Sequence, residues 1–139
     1  MGWYTPTSRQ QFFRSYPKVD LHRHLEGSLR LKTLLDVACQ HGITLPVSPN
    51  LSNLVQMQPG DTLNFSTFLS KFQYLRLFYR SVEVIQRVTR EAVQDAAEDN
   101  VQYLELRFMP VTLTRAQDLS LAEVMDWVAG TAQLAELKN

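Results

Sequence analysis

Two histidines separated by one residue, His22 and His24, are the side chains best suited to metal chemistry in this sequence. They lie in residues 18–25, whose alternating character predicts a β-strand. Because side chains two apart on a strand point to the same side, the two imidazoles are expected to lie close together. Such a pair can share one divalent ion, since neutral imidazole binds Zn²⁺ at roughly 2.0–2.1 Å. Glu26 follows in the next turn, where its carboxylate could reach a ligand hydroxyl or orient a water molecule.

The histidine pair alone supplies only half of a metal site. A catalytic zinc ion needs about three protein ligands and an open position. The remaining histidine, His41, falls at the predicted end of a helix, where a partly charged imidazole suits the helix dipole and a structural role is expected. Cys39 lies in the same helix and is expected to be buried. From the residues alone, a metal site and a structural histidine pair remain alternatives.

The elements that must position these side chains alternate between strands and helices. A second strand is predicted over residues 101–109, closed by Pro110. Helices are predicted over residues 7–15, 28–41, 66–79 and 81–98 and from Ser120 onward. The expected N-caps are Ser28, Ser81 and Ser120, and Gly42 is the expected C-terminal stop. This order is typical of an α/β protein with a parallel sheet, in which sites form at the carboxyl ends of the strands.

Composition excludes several classes of protein. The chain has 139 residues, of which 45% are hydrophobic, and 14 basic side chains balance 14 acidic ones. This is ample for a packed core and gives no net attraction to nucleic acid or anionic lipid. No segment approaches the roughly 18 apolar residues of a membrane span, and no secretory signal is recognisable. We therefore expect a soluble cytoplasmic protein with neither a nucleic acid nor a membrane as partner.

Three motifs, in order along the chain, resemble one known family. Residues 17–29 (PKVDLHRHLEGSL) look like the opening motif of the adenosine deaminase family, P-K-x-[ED]-L-H-x-H-L-x-G. Residues 68–72 (FLSKF) resemble the family's F-L-x-K-F helix. Residues 101–110 (VQYLELRFMP) resemble its second strand, Y-x-E-x-R-x-x-P. The resemblance extends over nearly the whole chain.

The resemblance implies a zinc-dependent aminohydrolase on a TIM (β/α)8 barrel of the metal-dependent hydrolase type. Residues 1–139 would form its N-terminal segment, the first two β/α units, with a loop and helical excursion at about residues 43–80. His22 and His24 match the first two zinc ligands, and the substrate would be a 6-aminopurine that loses ammonia. The family's remaining ligands, its proton shuttle in an H-A-G-E motif and its water-orienting histidine come from later strands. No catalytic residue is therefore expected within this chain, which alone is expected to be inactive.

The resemblance also assigns roles in substrate binding. The residue matching Glu26 is usually Asp in adenosine deaminases and contacts the ribose, so Glu leaves the choice of purine open. Phe68 and Phe72 match a hydrophobic gate over the purine pocket, although an aromatic stripe at this spacing also suits a core. Glu105 and Arg107 share one face of the second strand, where burial would cost several kcal/mol each unless they pair. We expect them to pair and to shape the structure beside the site.

Two other functions remain as alternatives. An H-x-H pair on a first strand also opens other amidohydrolases and phosphoesterases, although the second and third motifs have no place in that pattern. The chain could instead be a truncated, non-catalytic module. An open sheet edge would then favour self-association, or pairing with the remainder of a barrel.

Overall fold

The helices and strands follow the predicted alternation. A computed structural model describes residues 8–44, 50–114 and 119–136. In chain order the elements are α1 (Ser8–Ser15), β1 (Lys18–His24), α2 (Leu31–His41), α3 (Leu51–Val55), α4 (Phe65–Leu75), α5 (Val82–Glu98), β2 (Val101–Arg107), α6 (Pro110–Thr114) and α7 (Leu121–Glu136). Two 3₁₀ turns, Leu25–Gly27 and Arg76–Phe78, follow β1 and α4. The helix predicted over 66–79 is thus divided into α4 and a tighter turn.

The loop and helical excursion predicted at about residues 43–80 is only partly described, since residues 45–49 lie outside the described ranges. The first element in its described part is the one-turn helix α3. The side chain of Asn50 accepts a hydrogen bond from the backbone of Ser52 and so caps this helix.

The two strands pair in parallel, as predicted. Lys18 lies opposite Val101 at one end of the pair, and His24 lies opposite Arg107 at the other. Parallel strands require a long crossover, which here holds α2 to α5. The carboxyl ends of both strands therefore meet at the same edge, next to the turn that carries Glu26.

Three of the four predicted helix boundaries are confirmed by their hydrogen bonds. Ser81 Oγ accepts from the backbone N–H of Val84, and Ser120 Oγ accepts from that of Glu123. Gly42 ends α2 at φ 59°, a left-handed conformation in which glycine avoids the steric cost of a Cβ. The prediction for Ser28 is wrong, because α2 begins two residues later, with Arg30 at the N-cap position. The Ser28 hydroxyl instead donates to the carbonyl of His24 at 2.9 Å.

The core lies where α5 packs against α7 and against the turn after β1. Ile85 and Val88 of α5 are fully buried, as is Val124 of α7. Tyr79 is also fully buried, and its hydroxyl donates to the carbonyl of Leu25 at 3.0 Å. This bond fixes the turn that follows the histidine strand to the centre of the core.

One face of the two-stranded sheet is apolar and exposed. Val19 and Leu21 of β1 and Tyr103 of β2 are 60–63% exposed, and Val19 pairs directly with Tyr103. A sheet face of this composition is normally packed against another layer.

Cys39 is exposed rather than buried, so that prediction is wrong. It lies on the outward side of α2, whose inward side is formed by buried residues such as Leu34 and Val37. Within the described ranges, no helix is long and apolar enough to cross a membrane.

Candidate active site

The structure brings the two predicted metal-binding histidines together at the carboxyl end of β1. The ring centroids of His22 and His24 are 5.0 Å apart, and both side chains are exposed. The route to this arrangement differs from regular strand alternation. The strand pairing shifts register between Asp20 and Arg23, and His22 adopts φ 66° within that shift. A bulge, rather than an ideal strand, therefore sets the direction of the first imidazole.

His22 is held in a conformation that most residues avoid. The left-handed region costs a residue with a Cβ about 1–2 kcal/mol. Such strained residues cluster at functional sites, where the surrounding structure holds them in place. The strain at His22 thus marks the same place in the chain as the histidine spacing does.

The donor chemistry and spacing of this pair fit a zinc ion. Two imidazoles bound to one tetrahedral zinc at roughly 2.0–2.1 Å hold their ring centres roughly 5 Å apart. The observed 5.0 Å agrees with that spacing. Within the described ranges, however, no group of three or more His, Cys, Asp or Glu side chains is arranged to hold a metal ion. The described residues therefore bring two nitrogen donors together, fewer than the about three protein ligands of a catalytic zinc site.

Glu26 is buried next to this pair and is only partly satisfied. Its side chain is 4% exposed, and Oε1 accepts a hydrogen bond from the backbone N–H of Met109, just after β2. Oε2 is buried and has no hydrogen-bond partner in the described structure. It lies 3.7 Å from His24 Nδ1. Burial and the nearby charge of Glu26 both raise the pKa of Tyr79 well above its ordinary value, so the Tyr79 hydroxyl stays protonated.

A pocket of about 890 Å³ opens beside the histidines. Its wall includes both histidines, Glu26, and the aromatic rings of Phe68 and Phe72 on α4. The two rings meet edge to face with centroids 5.2 Å apart. Such a volume is sufficient for a ligand of nucleoside size.

Most of the apolar stripe on α4 lines the pocket. Phe65 is 73% exposed, Phe68 45% and Leu69 44%, and all three line the pocket. Phe72 lines the pocket and also packs against the core, and Leu75, at the end of the same helix, is buried in the core. The core interpretation of Phe68 is therefore not supported by its surroundings.

Three arginines that the sequence did not single out as site residues also line the pocket. Arg30 donates a hydrogen bond from Nε to Asp95 of α5 at 3.0 Å. This hydrogen bond, together with the negative charge of Asp95, raises the pKa of Arg30. Arg23 pairs with Asp20 at 2.6 Å. Arg76 is exposed, and its side chain forms no hydrogen bond or ion pair with the described part of the chain. No local pattern identifies the pairing of Arg30, because Asp95 lies 65 residues away.

Glu105 and Arg107 pair with each other on β2, with Arg107 Nε 2.6 Å from Glu105 Oε1. The expected pairing is confirmed, but the side chains are 35% and 51% exposed, so the cost of burial does not apply in the described structure. They border a sheet that has only two strands in the described structure, so water reaches both. His41 is exposed at the end of α2, away from the residues that line the pocket.

Comparison with known proteins identifies the family. The adenosine deaminase of Vibrio vulnificus strain YJ016 is 36% identical over 121 residues, which are 86% of this chain and 36% of that protein. An amidohydrolase from Burkholderia ambifaria, solved with bound zinc, superposes with a TM-score of 0.76 at 22% identity, over 96% of this chain and 36% of its own. The N6-methyl-AMP deaminase of Arabidopsis thaliana has a TM-score of 0.67 at 28% identity, over 89% of this chain and 35% of its own.

These likenesses confirm the predicted fold class, an α/β chain forming part of a TIM barrel. The chain spans about a third of the length of the relatives it matches. The family model described as "Adenosine deaminase" matches residues 17–138, a range that begins at the histidine motif and includes α4 and β2. On this match, the chain belongs to the adenosine deaminase family.

Proposed function

We propose that the protein carrying this chain hydrolyses a 6-aminopurine to the 6-oxopurine and ammonia, using one zinc ion. The observation that carries the proposal is the histidine pair at 5.0 Å, placed on the wall of an aromatic pocket of about 890 Å³. His22 and His24 would contribute two ligands to the metal. The further ligands and the proton shuttle would come from later strands of the barrel, as in the family that the chain belongs to.

A bound zinc ion supplies the activation of water, because it lowers the pKa of that water towards neutrality. The oxygen of water forms a bond to C6 of the purine, the C6–N bond breaks, and the nitrogen leaves as ammonia. Phe68 and Phe72 would cover the purine and exclude bulk water from the pocket. Glu26 lines the same pocket, so its contact with a substrate hydroxyl stays a prediction.

The choice between a nucleoside and a nucleotide depends on the cations of the pocket. Arg23 and Arg30 are neutralised by Asp20 and Asp95, whereas Arg76 has no ion pair within the described ranges. A guanidinium without a partner suits a phosphate group. This observation favours a purine nucleoside 5′-monophosphate as the second candidate substrate, after adenosine. The Arabidopsis thaliana relative is named for such a nucleotide, N6-methyl-AMP.

Release of the C6 amine by the zinc-loaded, full-length gene product tests the proposal, as ammonia from adenosine, adenine and AMP and as methylamine from N6-methyl-AMP. The substrates are adenosine, adenine, AMP and N6-methyl-AMP, and a chelator-treated sample is the control. We expect turnover of at least one of them, abolished by the chelator. Arg76→Gln should lower turnover of a nucleotide but not of a nucleoside, whereas Arg90→Gln, at an exposed position on α5, should change neither. Absence of ammonia from adenosine, adenine and AMP, together with absence of methylamine from N6-methyl-AMP, would contradict the proposal.

The exposed sheet face supports a proposal about partners. We propose that the face formed by Val19, Leu21 and Tyr103 packs within the complete barrel, in a cytoplasmic protein. The chain expressed alone would then bury this face by self-association. Sedimentation should detect oligomers, and a monomer with a cooperative thermal transition would argue against this packing.

A further inference from the structure

Glu26 combines deep burial, a negative charge and one oxygen without a hydrogen-bond partner. Its side chain is 4% exposed, and Oε2 is the buried side-chain atom without a partner among the described residues. A buried carboxylate is costly unless its oxygens accept hydrogen bonds. Such a group in a native structure calls for a donor at that position when the protein functions.

The first oxygen of Glu26 already has a structural task. Oε1 accepts from the backbone N–H of Met109, two residues after the end of β2. This bond joins the turn after β1 to the carboxyl end of β2. It holds the carboxylate in one orientation, which directs the second oxygen towards His24.

The second oxygen faces the metal-binding pair. Oε2 lies 3.7 Å from Nδ1 of His24, slightly beyond hydrogen-bond distance. Hydrogen bonds within functional sites are often long without the ligand and shorten when it binds. If Nδ1 carries the proton of a neutral imidazole, it is the donor that Oε2 lacks, and Nε2 is left to bind a metal.

We propose that Glu26 is a positioning residue that orients His24 for metal binding by accepting a hydrogen bond from its Nδ1–H. The proposal rests on the proposed function, since it presumes that His24 binds the metal. It differs from the predicted contact with a substrate hydroxyl, because here the carboxylate acts through the histidine. The same side chain thereby connects the ends of both strands, since Met109 holds one oxygen and His24 the other.

This role requires a carboxylate rather than an amide. Both oxygens of Glu26 face N–H donors, the backbone of Met109 and the ring of His24. In Glu26→Gln, the amide NH₂ must face one of these two N–H groups. Both N–H groups can only donate while His24 binds metal through Nε2, so one hydrogen bond is lost. Glu26→Asp is shorter by one methylene group and cannot reach both donors from the same backbone position.

Zinc affinity, measured by competition with a chelator, tests the proposal on the full-length gene product. We expect Glu26→Gln and Glu26→Asp to bind zinc about 10–100-fold more weakly than the wild type, the usual effect of losing a residue that orients a histidine ligand. At saturating zinc, kcat should fall while KM stays unchanged. The matched control is Glu98→Gln, at an exposed position on α5, which should leave zinc affinity unchanged.

The outcomes separate this proposal from the proposed function. Unchanged zinc affinity with a raised KM would overturn it in favour of a substrate contact. Weakened zinc binding in a protein that deaminates none of the purines tested would support the positioning role while contradicting the proposed reaction. A wild-type protein that binds no zinc would overturn both.

A measurement on the wild type decides the matter if the variants fail to fold. In protein labelled with ¹⁵N at histidine and loaded with ¹¹³Cd²⁺, scalar coupling identifies the ring nitrogen that binds the metal. We expect coupling to Nε2 of His24 and a proton on Nδ1, with His24→Gln used to assign the signal. Coupling to Nδ1 would overturn the proposal.

Discussion

Two buried glutamates in this chain differ in how their oxygens are satisfied. Glu91 on α5 is 9% exposed, and both of its oxygens accept hydrogen bonds, from Thr33 Oγ1 at 2.6 Å and from Arg87 Nε at 2.9 Å. Arg87 is held in turn by Asp36 of α2 at 2.7 Å. Glu26 is 4% exposed, but only one of its oxygens has a partner.

The difference separates a buried charge whose hydrogen bonds are complete from one that lies at the pocket with an oxygen left unpartnered in the described structure. Around Glu91, hydrogen bonds from two helices complete the network, and the bonds to Asp36 and Glu91 raise the pKa of Arg87. That network joins α2 to α5, away from the pocket. Glu26 lies at the carboxyl ends of the strands with an acceptor left over. A complete network favours stability, whereas an incomplete one at a pocket indicates a group that awaits a ligand or a metal.

Replacing His24, a proposed metal ligand, gives the largest expected effect and tests the proposed role of the site around Glu26. In the full-length gene product, His24→Ala should weaken zinc binding by more than about 100-fold, since even a residue that only orients a ligand is worth about 10–100-fold. Metal analysis after dialysis measures the loss. Stability of the metal-free protein should change little, because His24 is exposed.

His41→Gln is the matched control for this variant. His41 is exposed at the end of α2 and does not line the pocket, so its replacement should leave zinc content unchanged. Equal zinc content in His24→Ala and the wild type would show that His24 does not bind the metal. Glu26 would then not lie beside a metal ligand.

Removing Glu91 should have the opposite pattern, a loss of stability without a loss of metal. Glu91→Ala leaves the Thr33 hydroxyl without its short bond and removes the partner of Arg87 Nε. Arg87 then keeps its bond to Asp36 and a longer one to Thr33 Oγ1. We expect the free energy of unfolding to fall by about 1–3 kcal/mol. Larger figures for buried pairs do not apply, because Arg87 is one-third exposed. Urea unfolding measures the change, provided that the m value stays constant. Weaker zinc binding in this variant would contradict a purely structural role for Glu91.

Local patterns in the sequence were sufficient for much of the fold. The caps at Ser81 and Ser120 and the stop at Gly42 depend on hydrogen bonds within a few residues, so propensity and spacing identified them. The spacing of His22 and His24 also placed two donors together. Each of these signals is complete within one element.

The features that the sequence did not reveal depend on partners far along the chain. The bond between Glu26 and Met109 spans 83 residues, and the pair of Arg30 and Asp95 spans 65. No periodicity encodes such distances. The bulge at His22 was missed for a related reason, since it is defined by the register against β2 rather than by its own segment.

Two phenylalanines allow the same comparison between core and pocket for apolar side chains. Phe78 is fully buried in the core, whereas Phe68 is 45% exposed on the pocket wall. Phe68→Ala and Phe72→Ala should each raise KM for the purine by about 3–10-fold, the value of losing one aromatic contact. Steady-state kinetics measure this effect. The control is Phe12→Ala on α1, an exposed ring that does not line the pocket, and an equal change there would contradict a specific role for α4.

The smallest expected effect is on stability, at Asp61. Its carboxylate accepts hydrogen bonds but is partly exposed, so replacing it tests hydrogen bonding without deep burial. The backbone N–H of Gln58 and then the hydrogen bond from Lys71, at 3.0 Å each, lower the pKa of Asp61 below its ordinary 3.8. A lowered carboxyl pKa stabilises the folded state above the ordinary value, and that contribution is lost as the pH falls through the lowered one. Asp61→Asn should therefore be slightly less stable than the wild type at pH 7, and the two should converge below pH 3.8. Chemical unfolding across this range tests it, with the exposed Asp126→Asn as control. If the difference in the free energy of unfolding between the wild type and Asp61→Asn stays constant with pH, the charge of Asp61 contributes nothing to stability. Hydrogen-bonded carboxylates would then stabilise this fold only where they are buried, as Glu91 is.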